Sequence, residues 1–233
     1  MSAHTERRRW IILASAAVAS TAVLAGAKEK DDDDDDIDVT AAEDLMREHG
    51  VLRRALLVYA EAATRLATGG NVPLDALAQV ATLFRSFGED YHERSLEEKH
   101  VFVPLMKPGG KHAALARTLV DQHERGRQVT DYVAAIARKG RIPDNASFAT
   151  VLASFVRMYQ HHAAIEDTVI FPAWKQAISP AQYRELNEEF EDLEHKMFGK
   201  DGFEDAVQRI GKIEESFGLA NLAALTPPAP PMP

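Results

Sequence analysis

Phe148, Leu152, Phe155, Tyr159, His162, Glu166 and Val169 recur at steps of three and four. That is the period of one face of an α-helix. The stripe asks a helix to bury an imidazole and a carboxylate in line with aromatic and aliphatic side chains. Two further stretches repeat the pattern, each with one histidine: Leu45, His49, Leu52, Leu56, Ala60 and Ala63, and then Leu115, Leu119, His123, Gly126, Thr130 and Val133. A fourth helical stretch, residues 74–106, contains His92. Gly69-Gly70-Asn71-Val72-Pro73, Pro108-Gly109-Gly110 and Gly140-Arg141-Ile142-Pro143 separate the four, and glycine and proline are the strongest helix punctuation. Thr40 and Glu43 form a capping-box pattern at the first start.

No sustained period-two alternation and no Asn-Gly or Asp-Gly hairpin marks a strand. Long helices joined by short loops therefore predict an all-α fold, an antiparallel up-down four-helix bundle over residues 40–178. Ser179-Pro180 opens a fifth helix to about Phe198, and a shorter one follows over residues 203–217. These form a C-terminal helical extension, 179–218, expected to pack across the bundle. Residues 219–233 are a Pro-rich tail of polyproline type.

The N-terminal end reads as a targeting segment. Arg7, Arg8 and Arg9 precede an uncharged apolar run over residues 10–27, which closes on Ala25-Gly26-Ala27. This is the pattern of a signal peptide with a small-residue cleavage site, and the arginines resemble a twin-arginine export signal. Export to the periplasm is the expectation for residues 1–27; left uncleaved, the same segment is a membrane anchor and the only membrane contact expected. Residues 28–39 form an acidic linker, since Asp31 to Asp36 is an unbroken run of carboxylates that cannot pack. Much of the net charge of −9 sits there, and no basic footprint for nucleic acid is present. The chain has nine histidines and no cysteine. Disulfides, thiolate zinc sites, cysteine-ligated iron–sulfur clusters and cysteine nucleophiles are thereby excluded. A transition metal must be held by His, Asp or Glu.

The two halves of the bundle echo each other. Leu45-Met46-Arg47-Glu48-His49 resembles Leu119-Val120-Asp121-Gln122-His123. Tyr91-His92, Glu97-Glu98 and Val101-Phe102 resemble Tyr159, His161-His162, Glu166-Asp167 and Ile170-Phe171. An internal two-fold of this kind points one histidine per helix at the centre. His162 and Glu166, four apart, lie one turn from each other on one face. His161 is one residue off that stripe; an ungapped match of Glu97 to Glu166 pairs it with His92, which keeps it as an alternative. On an ideal wheel Glu98 shares the face of Phe84, Tyr91 and Phe102, whereas Glu97 turns inward only if the helix carries a π-bulge. About four imidazoles and two carboxylates suit two first-row metal ions with positions left open, and a buried carboxylate needs such a partner. His100 falls on an outer face, His112 at a helix start and His195 in the fifth helix, in the C-terminal extension.

At these residues the chain resembles the hemerythrin-like, His-His-Glu cation-binding family, over about residues 44–174. The resemblance implies a four-helix bundle around a non-haem centre of two iron ions. It implies His49, His92, His123 and His162 as ligands, with Glu166 and Glu97 as bridging carboxylates; the wheel favours Glu98. It also implies oxygen, a related diatomic or peroxide as the small ligand. The third helix of the oxygen carriers offers two histidines four apart, but here His123 is followed four later by Arg127. One imidazole fewer implies a more open site, suited to redox reactivity or sensing. A di-iron oxidase or peroxidase is the enzymatic alternative, and metal storage or sensing another. The stripe from Phe148 to Val169 reads His-x-x-x-Glu, which departs from the Glu-x-x-His pairs of ferritin-type centres. Tyr91 and Tyr159, beside the expected ligands, are core aromatics or donors to the site.

Overall fold

The computed structural model describes residues 39–231. The arginine-led apolar run and the acidic run lie outside the described residues, and with them the expected export signal or anchor. Among the described residues every regular element is helical, and no helix is long and apolar enough to cross a membrane.

Helix α1 (Ala41–Ala67) starts at Thr40, whose hydroxyl accepts from the Glu43 amide, while the Glu43 carboxylate accepts from the Thr40 amide at 2.9 Å. It stops at Gly69, whose φ of 77° is left-handed and which lets the Gly70 amide reach back to Arg65 O at 2.8 Å. The second long helix changes winding twice: α2 (Leu74–Leu83), a π-helical stretch π1 (Phe84–Val101), and the short α3 (Phe102–Leu105). Helix α4 (Ala113–Arg138) is regular. The fourth long helix comprises α5 (Asn145–Ile165), a turn of π-helix π2 (Glu166–Ile170) and α6 (Phe171–Ala177). Asp144 caps α5 by accepting from the Ala146 amide at 3.0 Å. Residues 74–106 and 144–178 thus form helices that change winding along their length. Both switch to π winding where the sequence places its paired acidic residues.

Helix α1 runs along α5 and α2 along α4; α3 meets α6. One layer of the core is aromatic. Phe84 is fully buried, with ring centroids 5.9 Å from Tyr59, 5.3 Å from Phe155 and 5.4 Å from Tyr159. The extension lies over this bundle. Helix α7 (Pro180–Phe198) packs on α1 and π1, and α8 (Gly202–Ser216) on α1 and α2. Ala206, Ile210 and Ile213 are the buried face of α8. Arg54 of α1 donates twice to Glu214, at 2.9 and 2.5 Å, and ties α8 down. Phe198 sets its ring against Phe87 and Tyr91.

Truncating the centre of the aromatic layer tests this packing. Phe84→Ala should lower stability by about 3–5 kcal/mol, read as a lower urea midpoint at unchanged slope.

Candidate metal centre

Each long helix contributes one buried histidine: His49 from α1, His92 from π1, His123 from α4 and His162 from α5, none more than 2 % exposed. Glu97 of π1 and Glu166 of π2 are fully buried beside them. The π winding of the second helix decides which acid enters. Its backbone bonds join residues five apart, as the Phe102 amide does to Glu97 O, so His92 and Glu97 share a face. Glu98 is displaced outward and half-buried. In the fourth helix His162 and Glu166 are four apart, on α winding. His161 is exposed and stands apart from the cluster. His195 is exposed and His100 faces Glu189 and Phe190.

The inner nitrogens converge in two groups. His49 Nε2 is 3.4 Å from Glu166 Oε2 and 3.9 Å from Glu97 Oε1, and His92 Nε2 is 3.3 Å from Glu97 Oε1. On the other side His123 Nε2 is 3.0 Å from His162 Nε2 and 3.4 Å from Glu97 Oε2. Glu166 Oε1 lies 3.0 Å from His162 Nε2 and 3.8 Å from His123 Nε2. Each carboxylate therefore turns one oxygen to each group. Two donors bonded to one ion at about 2.0–2.2 Å stand about 3.0 Å apart at right angles and about 3.4 Å apart in a tetrahedron. The observed spacings fall at and slightly above these values. All four oxygens of Glu97 and Glu166, and His92 Nε2, lack a hydrogen-bond partner. Buried groups of this kind demand a cation, so the residues present fit a metal.

The outer nitrogens are all occupied. His49 Nδ1 meets Asp167 Oδ1 at 2.7 Å, and His92 Nδ1 meets Glu48 Oε2 at 2.6 Å. His123 Nδ1 meets Glu98 Oε1 at 3.0 Å, and His162 Nδ1 meets Gln122 Oε1 at 2.9 Å. An acceptor at Nδ1 puts the proton there and leaves the Nε2 lone pair facing the centre. Every one of these bonds joins neighbouring helices. Arg53 donates to Asp167, and Arg127 donates to Glu98 and, at 3.1 Å, to Glu93. Phe171 stacks on His49 at 5.5 Å and Phe102 lies against His123 at 5.6 Å.

Residues 40–174 match the family described as the hemerythrin HHE cation binding domain. The chain belongs to this hemerythrin HHE family. Uncharacterized proteins of Mycobacterium tuberculosis and Mycobacterium bovis are each 42% identical to it over 194 residues, which is 82% of this chain and 75% of theirs. No solved structure is a significant match.

Within this hemerythrin-type cluster the charges are strongly coupled. Burial would push the His92 imidazole down, but Glu97 and Glu48 overcome it and hold it well above the ordinary histidine range. His123 is likewise depressed by burial and raised well above that range by Glu93, Glu97 and Glu98. Burial works to raise Glu97, and His92 and His123 drive it well below the usual carboxylate range. The buried carboxylates of this hemerythrin-type cluster thus favour positive charge on His92 and His123, which a bound cation would replace.

Glu48, Gln122 and Asp167 were not singled out by the helical stripes. Glu48 and Gln122 each precede a histidine of the repeat, and each holds the histidine of the following helix. The signal that finds them is the two-fold itself: Glu48-His49 matches Gln122-His123.

Two outcomes follow. Glu48→Ala should weaken metal binding about 10–100-fold by freeing His92, measured by competition with a chelator. Apparent metal affinity should rise from about pH 6 to about pH 8, because imidazoles with raised pKa must lose protons to bind; an affinity that falls over this range contradicts the assignment of His92 and His123.

Proposed function

We propose that this chain is a non-haem di-iron protein, an antiparallel up-down four-helix bundle that binds or senses oxygen or a related small diatomic or peroxide. The observation that carries it is the double set of inward Nε2 nitrogens sharing the oxygens of Glu97 and Glu166. In this reading His49 and His92 would hold one iron and His123 and His162 the other, with Glu97 and Glu166 as the carboxylates shared between them. Glu98 serves from outside, orienting His123. The irons supply an electron-rich centre with open positions for a small ligand. The protein residues fix the imidazole tautomers through Asp167, Glu48, Glu98 and Gln122. Leu45, Leu96, Phe102 and Phe171, all buried, belong to the apolar interior of the bundle that holds this centre. The N-terminal arginine-led segment supports export of the folded chain, consistent with metal loading before transport.

A second reading, a di-iron oxidase or peroxidase, is favoured by Arg127. It stands four residues after His123, where it gives its guanidinium to Glu93 and Glu98. No fifth imidazole fills that position, which leaves coordination positions for a reacting ligand.

Metal analysis decides first. Chain produced with added iron should contain two iron ions per chain, and clearly less than one overturns both readings. His162→Ala and Glu97→Ala should each lose metal while far-UV circular dichroism stays helical. Glu98→Ala should retain metal at reduced affinity. On exposure to air, a stable and reversible absorption band supports binding, and rapid bleaching to a ferric product supports the enzymatic reading.

A further inference from the structure

The polar interior continues past the metal cluster. Glu93 and Glu89 follow Glu97 backward along π1 at steps of four, and neither is more than 1 % exposed. Glu89 Oε1, Glu93 Oε1, the hydroxyls of Tyr59 and Thr130, and Arg127 Nε are buried without a hydrogen-bond partner. They come from three elements, π1, α1 and α4, and Arg127 ties two of these by donating to Glu93 at 3.1 Å. Thr130 is close enough to lower the Glu89 pKa, against burial, which raises it. Yet neither group makes a bond of normal geometry with the other. The Tyr59 hydroxyl is raised by burial and then by the charge of Glu89. Glu93 Oε2 accepts from Arg127 at 3.1 Å and stands 4.0 Å from His123 Nδ1, beside the metal cluster.

At the outer end stands half-buried Arg85. Its Nη1 is 2.6 Å from Glu89 Oε2, and its Nη2 donates to exposed Asp131 at 2.6 Å and to Arg127 O at 3.2 Å. One guanidinium thus reaches from the buried carboxylate to an exposed aspartate.

Construction of the metal cluster does not require Glu89 and Glu93. Glu89 lies three residues before His92 and Glu93 one after it, and the residues so placed about His162 are Tyr159 and Ala163. The second half therefore supplies its histidine and bridging acid without any such carboxylates. Buried polar groups left without protein partners are satisfied in native interiors by ordered water.

We propose that Glu89, Glu93, Tyr59, Thr130 and Arg127 line a water-filled pocket that adjoins the metal cluster, is closed to solvent by Arg85, and exchanges water between the cluster and bulk. That this water serves a metal rests on the function proposed above; the existence of the pocket does not. Its ligand is water. The entrance lies at the Arg85–Asp131 pair on the α4 side of π1.

The test uses the metal-free full chain, so its result is independent of metal content. A crystal structure at a resolution that places solvent should show ordered waters bonded to Glu89, Thr130 and Tyr59. Oxygen-17 relaxation dispersion should detect long-lived waters in solution. Thr130→Leu, which fills the space, should remove them. Arg85→Ala should shorten their residence time about tenfold, as expected for loss of one charge-assisted closing contact. If Arg85→Ala does not fold, Asp131→Asn frees the exposed side of Arg85 and should shorten it in the same direction. A dry interior with Thr130 bonded directly to Glu89 overturns the pocket. An unchanged residence time when Arg85 is released overturns the entrance.

Discussion

Two carboxylates, Glu97 and Glu166, sit in the middle of a helical interior with none of their oxygens hydrogen-bonded. A charge placed there alone costs several kcal/mol, so the surrounding structure is organised to answer it. Four imidazoles face the two acids at 3.0–3.9 Å. One helix winding bends to the same demand. The π winding of residues 84–101 brings Glu97 to the face of His92, whereas Glu166 reaches the centre on α winding, and a π turn is an unfavourable winding that persists where the site over-determines it.

Holding the imidazoles is a second problem, solved by a closed ring of bonds between helices. Glu48 of α1 holds His92 of π1; Glu98 of π1 holds His123 of α4; Gln122 of α4 holds His162 of α5; Asp167 of π2 holds His49 of α1. The ring has a near two-fold. Arg53 lies four residues after His49 and supports Asp167, as Arg127 lies four after His123 and supports Glu98. Arg127 is thus one of a pair of arginines that brace the carboxylates behind two histidines. The ring also links successive helices to one another, so the geometry of the centre and the packing of the bundle are the same constraint.

Much of this was legible in the sequence because the α period is legible. The Thr40–Glu43 cap, the breaks at Gly69 and Gly140, and the inward placement of His49, His123, His162 and Glu166 all follow from steps of three and four. Glu97 was not decidable on a wheel. A wheel presumes 3.6 residues per turn, and residues 84–101 do not wind that way. The resemblance to a known family pointed to Glu97, whereas periodicity pointed to Glu98. Glu48 and Gln122 escaped for another reason. Their stripes describe one helix, but their side chains act on the next one, and a wheel contains no information about a neighbour. The buried pair Glu89 and Glu93 escaped because carboxylates between charged neighbours read as a solvated face.

That pair also separates what the fold needs from what it can do. The two-fold accounts for His49 with His123, His92 with His162, and Glu97 with Glu166, down to their outer partners. It does not account for Glu89 and Glu93 against Tyr159 and Ala163. A structural role for the extra acids would favour the apolar solution already present in the second half, since Ala163 and Tyr159 are both buried there and Ala163 places no polar group in the interior. Arg85 and Arg127 compensate the acids only in part, because Glu89 Oε1 and Glu93 Oε1 remain without hydrogen-bond partners. The asymmetry therefore gives the centre two unlike surroundings: an aromatic wall on the α5 side and a hydrogen-bonding one on the π1 side.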